Sequence, residues 1–460
     1  MIRLRSLSLA VAVAFAFAPL AHAEDLLSIY HEARNSDPQL AAAEATRNAT
    51  SENVAQARAL LLPQLGASYS YQRAHTNNTG PQFVYDEQGN QTLVNISSSG
   101  KNFGTSFGGS LNQSILDLGQ WTNLKASKAQ ARAGDSTYDA AEQELLIRVA
   151  DAYFAVLNSQ DALTFSQSNE RALNRQMEQA QQRFEVGLTA ITDVNDAKAQ
   201  HDTSVAKVIR AQNLFDDNRE ALRQLTGQEV GPLKKLRKKL PLDKPQPEDP
   251  QAWVDVAVAQ NPVLSSATFQ LDVAAANVNT ARAGHLPTLN GQILYNKSPN
   301  WGDRYSSAAG ASVHTNSEQW NTTVGVSLNI PLFSGGATQS RVRQAIYNRD
   351  FAQDQLEAQR RLVERNTRSS YRAVIAGASE VEATEQAVIS AQSSLDATQA
   401  GYDVGTRTIV DVLLSQQQLL QAQSSYSSAR HAFVLNGLLL KQAAGIIEVK
   451  DLEAVNALLE

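Results

Sequence analysis

Residues 183–194 read RFEVGLTAITDV, and 218 positions later residues 401–412 read GYDVGTRTIVDV. Val186/Val404, Gly187/Gly405, Ile191/Ile409, Asp193/Asp411 and Val194/Val412 are identical at that offset, which also pairs Tyr153 with Tyr371 and Gly227 with Gly445. Earlier in each half, LLPQL at 61–65 answers HLPTL at 285–289, and Asp37-Pro38 answers Asn261-Pro262, both at offset 224. One unit therefore occurs twice, and any fold must satisfy both copies with the same plan.

Each copy has the same order of signals. A short helical region (25–60; 251–285) stops at Leu-Pro, because the residue before proline avoids helical backbone angles. Two stretches of alternating character follow. The clearest runs from Trp320 to Ile330: Trp320, Val324, Val326, Leu328 and Ile330 lie on one face, and Asn321, Thr323, Gly325, Ser327 and Asn329 on the other. A period of two predicts a strand with one apolar and one small polar side. Its partners are expected at 65–73, 103–115 and 288–297, with Asn/Ser/Gly-rich loops at 74–101 and 298–318. No proline occurs between Pro81 and Pro232 or after Pro331. Uninterrupted Ala/Gln/Arg-rich helices are thus expected over 120–186 and 337–403, each about 100 Å long at 1.5 Å per residue. Return helices follow at 190–226 and 408–444.

The domain boundaries expected from this pattern are a first repeat over 24–231, a connector at 232–250, a second repeat over 251–445, and a tail at 446–460. Arg3 and Arg5, the apolar run Leu7–Leu20, and Ala21-His22-Ala23 read as a secretory signal peptide over 1–23. No later segment reads as a transmembrane helix, so membrane insertion has to come from the strands. Four amphipathic strands cannot close alone, because single-chain barrels begin at about 8 strands. Several chains must share one barrel.

Composition excludes other classes. The formal charge is −6, or about −8 without the two arginines of the signal peptide, which disfavours nucleic acid. Lys234-Lys235-Leu236-Arg237-Lys238-Lys239 lies among prolines and reads as a solvated connector. There is no cysteine. Histidines at 22, 31, 75, 201, 285, 314 and 431 lack metal-ligand spacing, and no Gly-Lys-Ser/Thr phosphate loop occurs, so neither metal nor other cofactor is expected. Gly104-Thr105-Ser106-Phe107-Gly108 has the G-x-S-x-G form of a nucleophile elbow, but it lies in an expected strand rather than a strand-to-helix turn. A hydrolase using Ser106 is the weaker reading. The chain is not expected to be an enzyme.

The motifs QRFEVGLTAITDV at 182–194, GYDVGTRTIVDVL at 401–413, LLPQLG at 61–66, SILD at 114–117 and GHLPTL at 284–289 resemble the TolC family of outer-membrane efflux channels, in unbroken order from about residue 25 to 455. The resemblance implies a mixed α/β outer-membrane channel. In it a homotrimer builds a 12-stranded β-barrel, four strands per subunit, continued by a long α-helical barrel with an equatorial α/β region. It implies an exit duct for tripartite efflux or type I secretion, set in outer-membrane lipid with a periplasmic extension, and served by a periplasmic adaptor protein and an inner-membrane transporter. A periplasmic coiled-coil adaptor or scaffold without a barrel is the alternative. By the same resemblance, Asp411 rings the pore constriction, while Leu414 stands where the family pattern has a second aspartate. Thr192, Asp193, Tyr402 and Arg407 latch neighbouring tip helices. Val186, Gly187, Leu188, Val404, Gly405 and Thr406 meet the adaptor.

Overall fold

A computed structural model describes residues 23–85, 87–307 and 309–460. Apart from Ala23, the expected signal peptide lies outside the described residues. In chain order the elements are α1 (Leu26–Ser36), α2 (Pro38–Ala59), β1 (Gln64–Tyr85), β2 (Gln91–Leu116), α3 (Leu118–Glu185), α4 (Ile191–Thr226), α5 (Pro250–Gln260), α6 (Pro262–Ala283), β3 (Thr288–Ser306), β4 (Ala311–Asn329), α7 (Ala337–Asp403), α8 (Ile409–Ala443) and α9 (Val449–Asn456). Among the described residues no helix is long and apolar enough to cross a membrane.

Residues 23–48, 133–268 and 355–460 form one compact unit. Its core gathers Leu26, Ile29 and Tyr30 of α1, Leu145, Val149, Tyr153 and Leu157 of α3, Leu222 of α4, Leu440 of α8 and Leu452 of α9. Each short helical region of the sequence is two helices, because the residue before proline breaks one helix and caps the next. Asp37 accepts from the Gln39 amide at 2.9 Å, and Asn261 accepts from the Val263 amide at 3.0 Å. The repeat is also visible in how the connector is held. The Tyr153 hydroxyl donates to the Lys234 carbonyl at 2.8 Å, and the Tyr371 hydroxyl donates to the Glu248 carbonyl at 2.7 Å. The basic cluster is pinned by its backbone. The Lys234 amide donates to Glu24 O and the Lys235 amide to Glu460 O, each at 3.0 Å, while Leu233 and Leu236 turn into the core.

Residues 49–132 and 269–354 form the second unit, which holds an antiparallel sheet in the order β1-β2-β3-β4. The expected loops at 74–101 and 298–318 are mostly strand. The β1–β2 ladder runs unbroken from Gln64↔Asn112 to Tyr85↔Gln91, and the β3–β4 ladder from Thr288↔Asn329 to Ser306↔Ala311. Among the described residues the turns are confined to 87–90 and to 307, 309 and 310. A ladder is made by backbone groups, so Ser, Asn and Thr on both faces can continue it after the apolar alternation has faded.

Opposed residues in the register show what the two faces carry. One row crosses Leu65, Leu111, Ile293 and Val324; another crosses Tyr69, Phe107, Lys297 and Trp320. On the same face Phe103 stacks on Trp301 with centroids 6.3 Å apart, and Phe107 meets Tyr295 edge-on. The opposite face carries Ser68, Ser70, Gln72, Ser106, Ser110, Asn112, Gln292, Asn296, Asn321, Thr323 and Ser327, interrupted by Leu294 and, nearer the turns, by Ile96, Arg304 and Val313. Trp320, Val324 and Val326 are 71%, 72% and 67% exposed, so among the described residues nothing covers this apolar face. Among the described residues neither β1 nor β4 has a partner on its outer edge.

Candidate functional site: two helical tips and an open sheet

Two helix–turn–helix tips hold every site residue expected from the sequence. At the first, α3 ends in a Schellman turn: the Leu188 amide donates to Arg183 O at 2.8 Å and the Gly187 amide to Phe184 O at 2.9 Å. At the second, the Thr406 amide donates to Gly401 O at 2.8 Å and the Gly405 amide to Tyr402 O at 3.0 Å. Gly187 and Gly405 have φ of 76° and 80°, left-handed values that L side chains adopt only under strain. Val186, Leu188, Val404 and Thr406 flank these turns as exposed side chains.

The tips differ beneath the turns. In the second, Tyr402, Ile409, Val412 and Leu413 pack with Leu173 of α3 into a small apolar core. In the first, the core is Ala180, Val194 and Ala197 with Met177 against it. Helix α8 starts with a capping box. The Asp411 amide donates to Thr408 Oγ1 at 3.2 Å, while the Thr408 amide and hydroxyl each donate to Asp411 Oδ2 at 2.9 Å. Those bonds, helped by the Arg407 charge, hold the Asp411 carboxyl below its ordinary range. Helix α4 has Ala190 as its N-cap, which makes no side-chain cap, and Asp193 instead accepts from the Thr189 hydroxyl.

Asp411 is partly exposed, and Leu414, one turn on, is exposed. The expected latch is not assembled within one chain. Arg407 is exposed and makes no side-chain hydrogen bond or ion pair to Asp193 or Thr192 among the described residues. Its stem folds onto Gly401, where a Cβ would lie 2.7 Å from Arg407 Cγ. The Tyr402 ring is buried under the Arg183 guanidinium, 4.8 Å from its centroid, and among the described residues the Tyr402 hydroxyl has no partner at full hydrogen-bond geometry. Burial pushes this phenol up; Arg183 works against that, and Asp193 and Asp403 add to it. Sequence reading missed the Arg183–Tyr402 contact and the capping box. The latter was recoverable from Thr-x-x-Asp at the start of a helix.

Ser106 is strand, not elbow: it lies inside β2, and among the described residues its hydroxyl donates to Asn296 Oδ1 at 2.9 Å across to β3 rather than to an imidazole. Among the described residues no cluster of His, Cys, Asp or Glu could hold a metal ion.

The paired tips and the four-stranded sheet with a bare apolar face coincide with what comparison finds. The description "Outer membrane efflux protein" matches residues 29–228 and 253–445, most of both repeats. The chain belongs to that family. The outer membrane protein TolC of Vibrio cholerae is 39% identical over 436 residues, covering 95% of this chain and 94% of the relative. The alkaline protease secretion protein AprF of Pseudomonas aeruginosa is 30% identical over 444 residues, covering 95% and 88%. Among solved structures, the Campylobacter jejuni CmeC outer membrane channel superposes with a TM-score of 0.74 at 18% identity, covering 95% of this chain and 90% of that one. The fold is thus that of a TolC-like outer-membrane efflux channel subunit. The protein is an outer-membrane efflux or secretion channel and not a periplasmic adaptor, and its family is one of channels rather than enzymes.

Proposed function

We propose that three copies of this chain close one 12-stranded barrel and form the exit duct of a tripartite efflux pump or type I secretion system, gated at the two helical tips. The observation that carries the reading is the open sheet. Four strands expose an apolar face and leave two edges unpaired, and in lipid every backbone donor and acceptor needs a partner. A barrel shared among copies supplies those partners. Its polar face then borders water, and the two repeats, 24–231 and 251–445, supply matching helical hairpins around the axis.

The tips are the gate in this reading. Asp411 of three copies surrounds the constriction with carboxylates, while Leu414 makes the adjacent ring apolar. The Tyr402 hydroxyl and the Arg407 guanidinium, which among the described residues make no hydrogen bond to Asp193 or Thr192, bond across to Asp193 and Thr192 of the neighbouring hairpin in the closed state. Exposed pairs contribute about 0–1 kcal/mol each, so such a latch holds when repeated by symmetry and yields to a partner. Val186, Gly187, Leu188, Val404, Gly405 and Thr406 present the docking surface for a periplasmic adaptor, through which an inner-membrane transporter delivers substrate. The exported name of AprF, a protease secretion protein, supports secretion as one use of the duct.

The test is electrical. Native protein from outer membranes is expected to run as an SDS-resistant trimer and conduct poorly in planar bilayers, and Tyr402→Phe with Arg407→Ser is expected to raise single-channel current. Unchanged current in the double variant removes the latch. A monomer that does not conduct removes the duct.

A further inference from the structure

The stagger of the sheet fixes how neighbouring copies meet. Straight rows run from Gln64 through Asn112 and Gln292 to Gly325, and from Asn78 through Ser98 and Ser306 to Ala311. The margins do not follow these rows. At the helix-bearing end β1 begins at Gln64, whereas β4 continues four residues past Gly325 to Asn329. At the far end β4 begins at Ala311, whereas β1 continues seven residues past Asn78 to Tyr85. Both margins step toward the helices from β1 to β4, as they must in a sheet whose strands tilt against level membrane planes.

In a closed barrel this stagger is the shear, and shear sets tilt. With three-fold symmetry each copy contributes a third of it. The contribution must be even, because an odd one would put apolar side chains on the wet face. For 12 strands about 4.8 Å apart with a rise of about 3.35 Å per residue, four residues per copy gives a tilt of about 35° and six about 46°. Two gives about 19° and eight about 54°, outside the 35–45° of outer-membrane barrels by much wider margins.

We propose that β4 of one copy pairs antiparallel with β1 of the next at a register displaced four or six residues toward the helices. Leu65 then lies opposite Leu328 or Ile330 of the neighbouring copy, not opposite Val324, the residue on its own straight row. Beyond the strands, Leu332 and Phe333 fall against Leu60 and Leu62 of the next copy. These side chains are among the barest in the chain: Leu332 is 91% exposed, Phe333 89% and Leu65 82%. The displaced seam brings all of them together, and the two edges meet with their apolar faces on the same, lipid-facing side. The inference rests on the trimeric barrel proposed above and adds its register.

The chain has no cysteine, so cross-links can be placed without background. Three double variants, Leu65→Cys with Leu328→Cys, with Ile330→Cys or with Val324→Cys, are oxidised in outer membranes and run denatured without reductant. Covalent dimers and trimers are expected from the Leu328 or the Ile330 pair, at least tenfold above the Val324 pair. Leu62→Cys with Phe333→Cys, outside the strands, is expected to link as well, and it guards against variants that damage the barrel. Preferential linkage through Val324, or none at Leu328 and Ile330 in a trimeric protein, overturns the register. A cysteine-free native mass other than a trimer overturns the shared barrel instead, so the two failures are separable.

Discussion

The two helical tips descend from one repeated sequence, yet they are built on different foundations. Ile191 and Ile409 are the same residue at the same repeat position, but Ile191 is 50% exposed and Ile409 only 2%. Asp193 and Asp411 are also equivalent: one is held by a hydroxyl four residues back, the other closes a capping box. The first tip rests on alanines and the second on Tyr402, Val412 and Leu413. A duplicated motif thus conserves the turn, which backbone geometry demands, while the packing below it diverges. The first tip, cored by small side chains, is the softer of the two, and the second has the larger apolar core.

Truncating the repeat-equivalent isoleucines tests this most directly. Ile409→Ala is expected to cost about 2–4 kcal/mol of local stability, as for other buried aliphatic deletions. Ile191→Ala should change stability by about 0.5 kcal/mol or less, as at other surface sites. Amide exchange at each tip reads both, and equal losses would erase the distinction. Next in size is Leu414→Asp, which places a second carboxylate ring beside Asp411 in the trimer. It should lower the half-blocking concentration of multivalent cations about tenfold, roughly 1.4 kcal/mol of binding. Identical block curves would show that position 414 does not face the conduction path.

Capping gives a smaller contrast. Thr408→Ala removes the box from the second tip and should cost about 1 kcal/mol, whereas Ala190→Ser offers the first tip a cap it lacks and should stabilise it by about as much. Opposite signs in hydrogen exchange are the expected outcome; two losses would mean Ala190 is required by its surroundings. The smallest effect is on pH. Because the folded Asp411 carboxyl is lowered from 3.8, the capping box contributes fully above that value and is lost as pH falls through the lower folded one. Second-tip amides should therefore lose protection only in that acid range, and Thr408→Ala should remove the dependence. A transition between about 6.5 and about 4 would come instead from the core, where burial against Phe154 pushes His431 down to about 4, so that its neutral fit is lost as pH falls through that window.

Much of the fold was legible because its signals are local. Leu-Pro stops, Val-Gly turns and long breaker-free stretches placed the helices, and the period-2 run at 320–330 identified a strand with two unlike faces. The strand ends were not legible, since Ser, Thr and Asn on both sides of β2 carry no alternation although their backbone continues the ladder. Among the site residues, the turns and their glycines follow from sequence because φ > 0 selects glycine. The state of Tyr402 does not: its place under Arg183 depends on α3 lying beside α7, a distance in space that no spacing in the chain encodes. The capping box stands between these cases, a local pattern at Thr408 and Asp411 overlooked because the same aspartate had a more conspicuous reading.

The serine-, asparagine- and glutamine-lined side of the sheet has a consequence for traffic. On the helix side of Arg304, that wall of uncharged dipoles grips neither anions nor cations. Passage along such a surface should rise in proportion to supply without saturating, and whatever choosiness the duct has must be exercised before cargo reaches it.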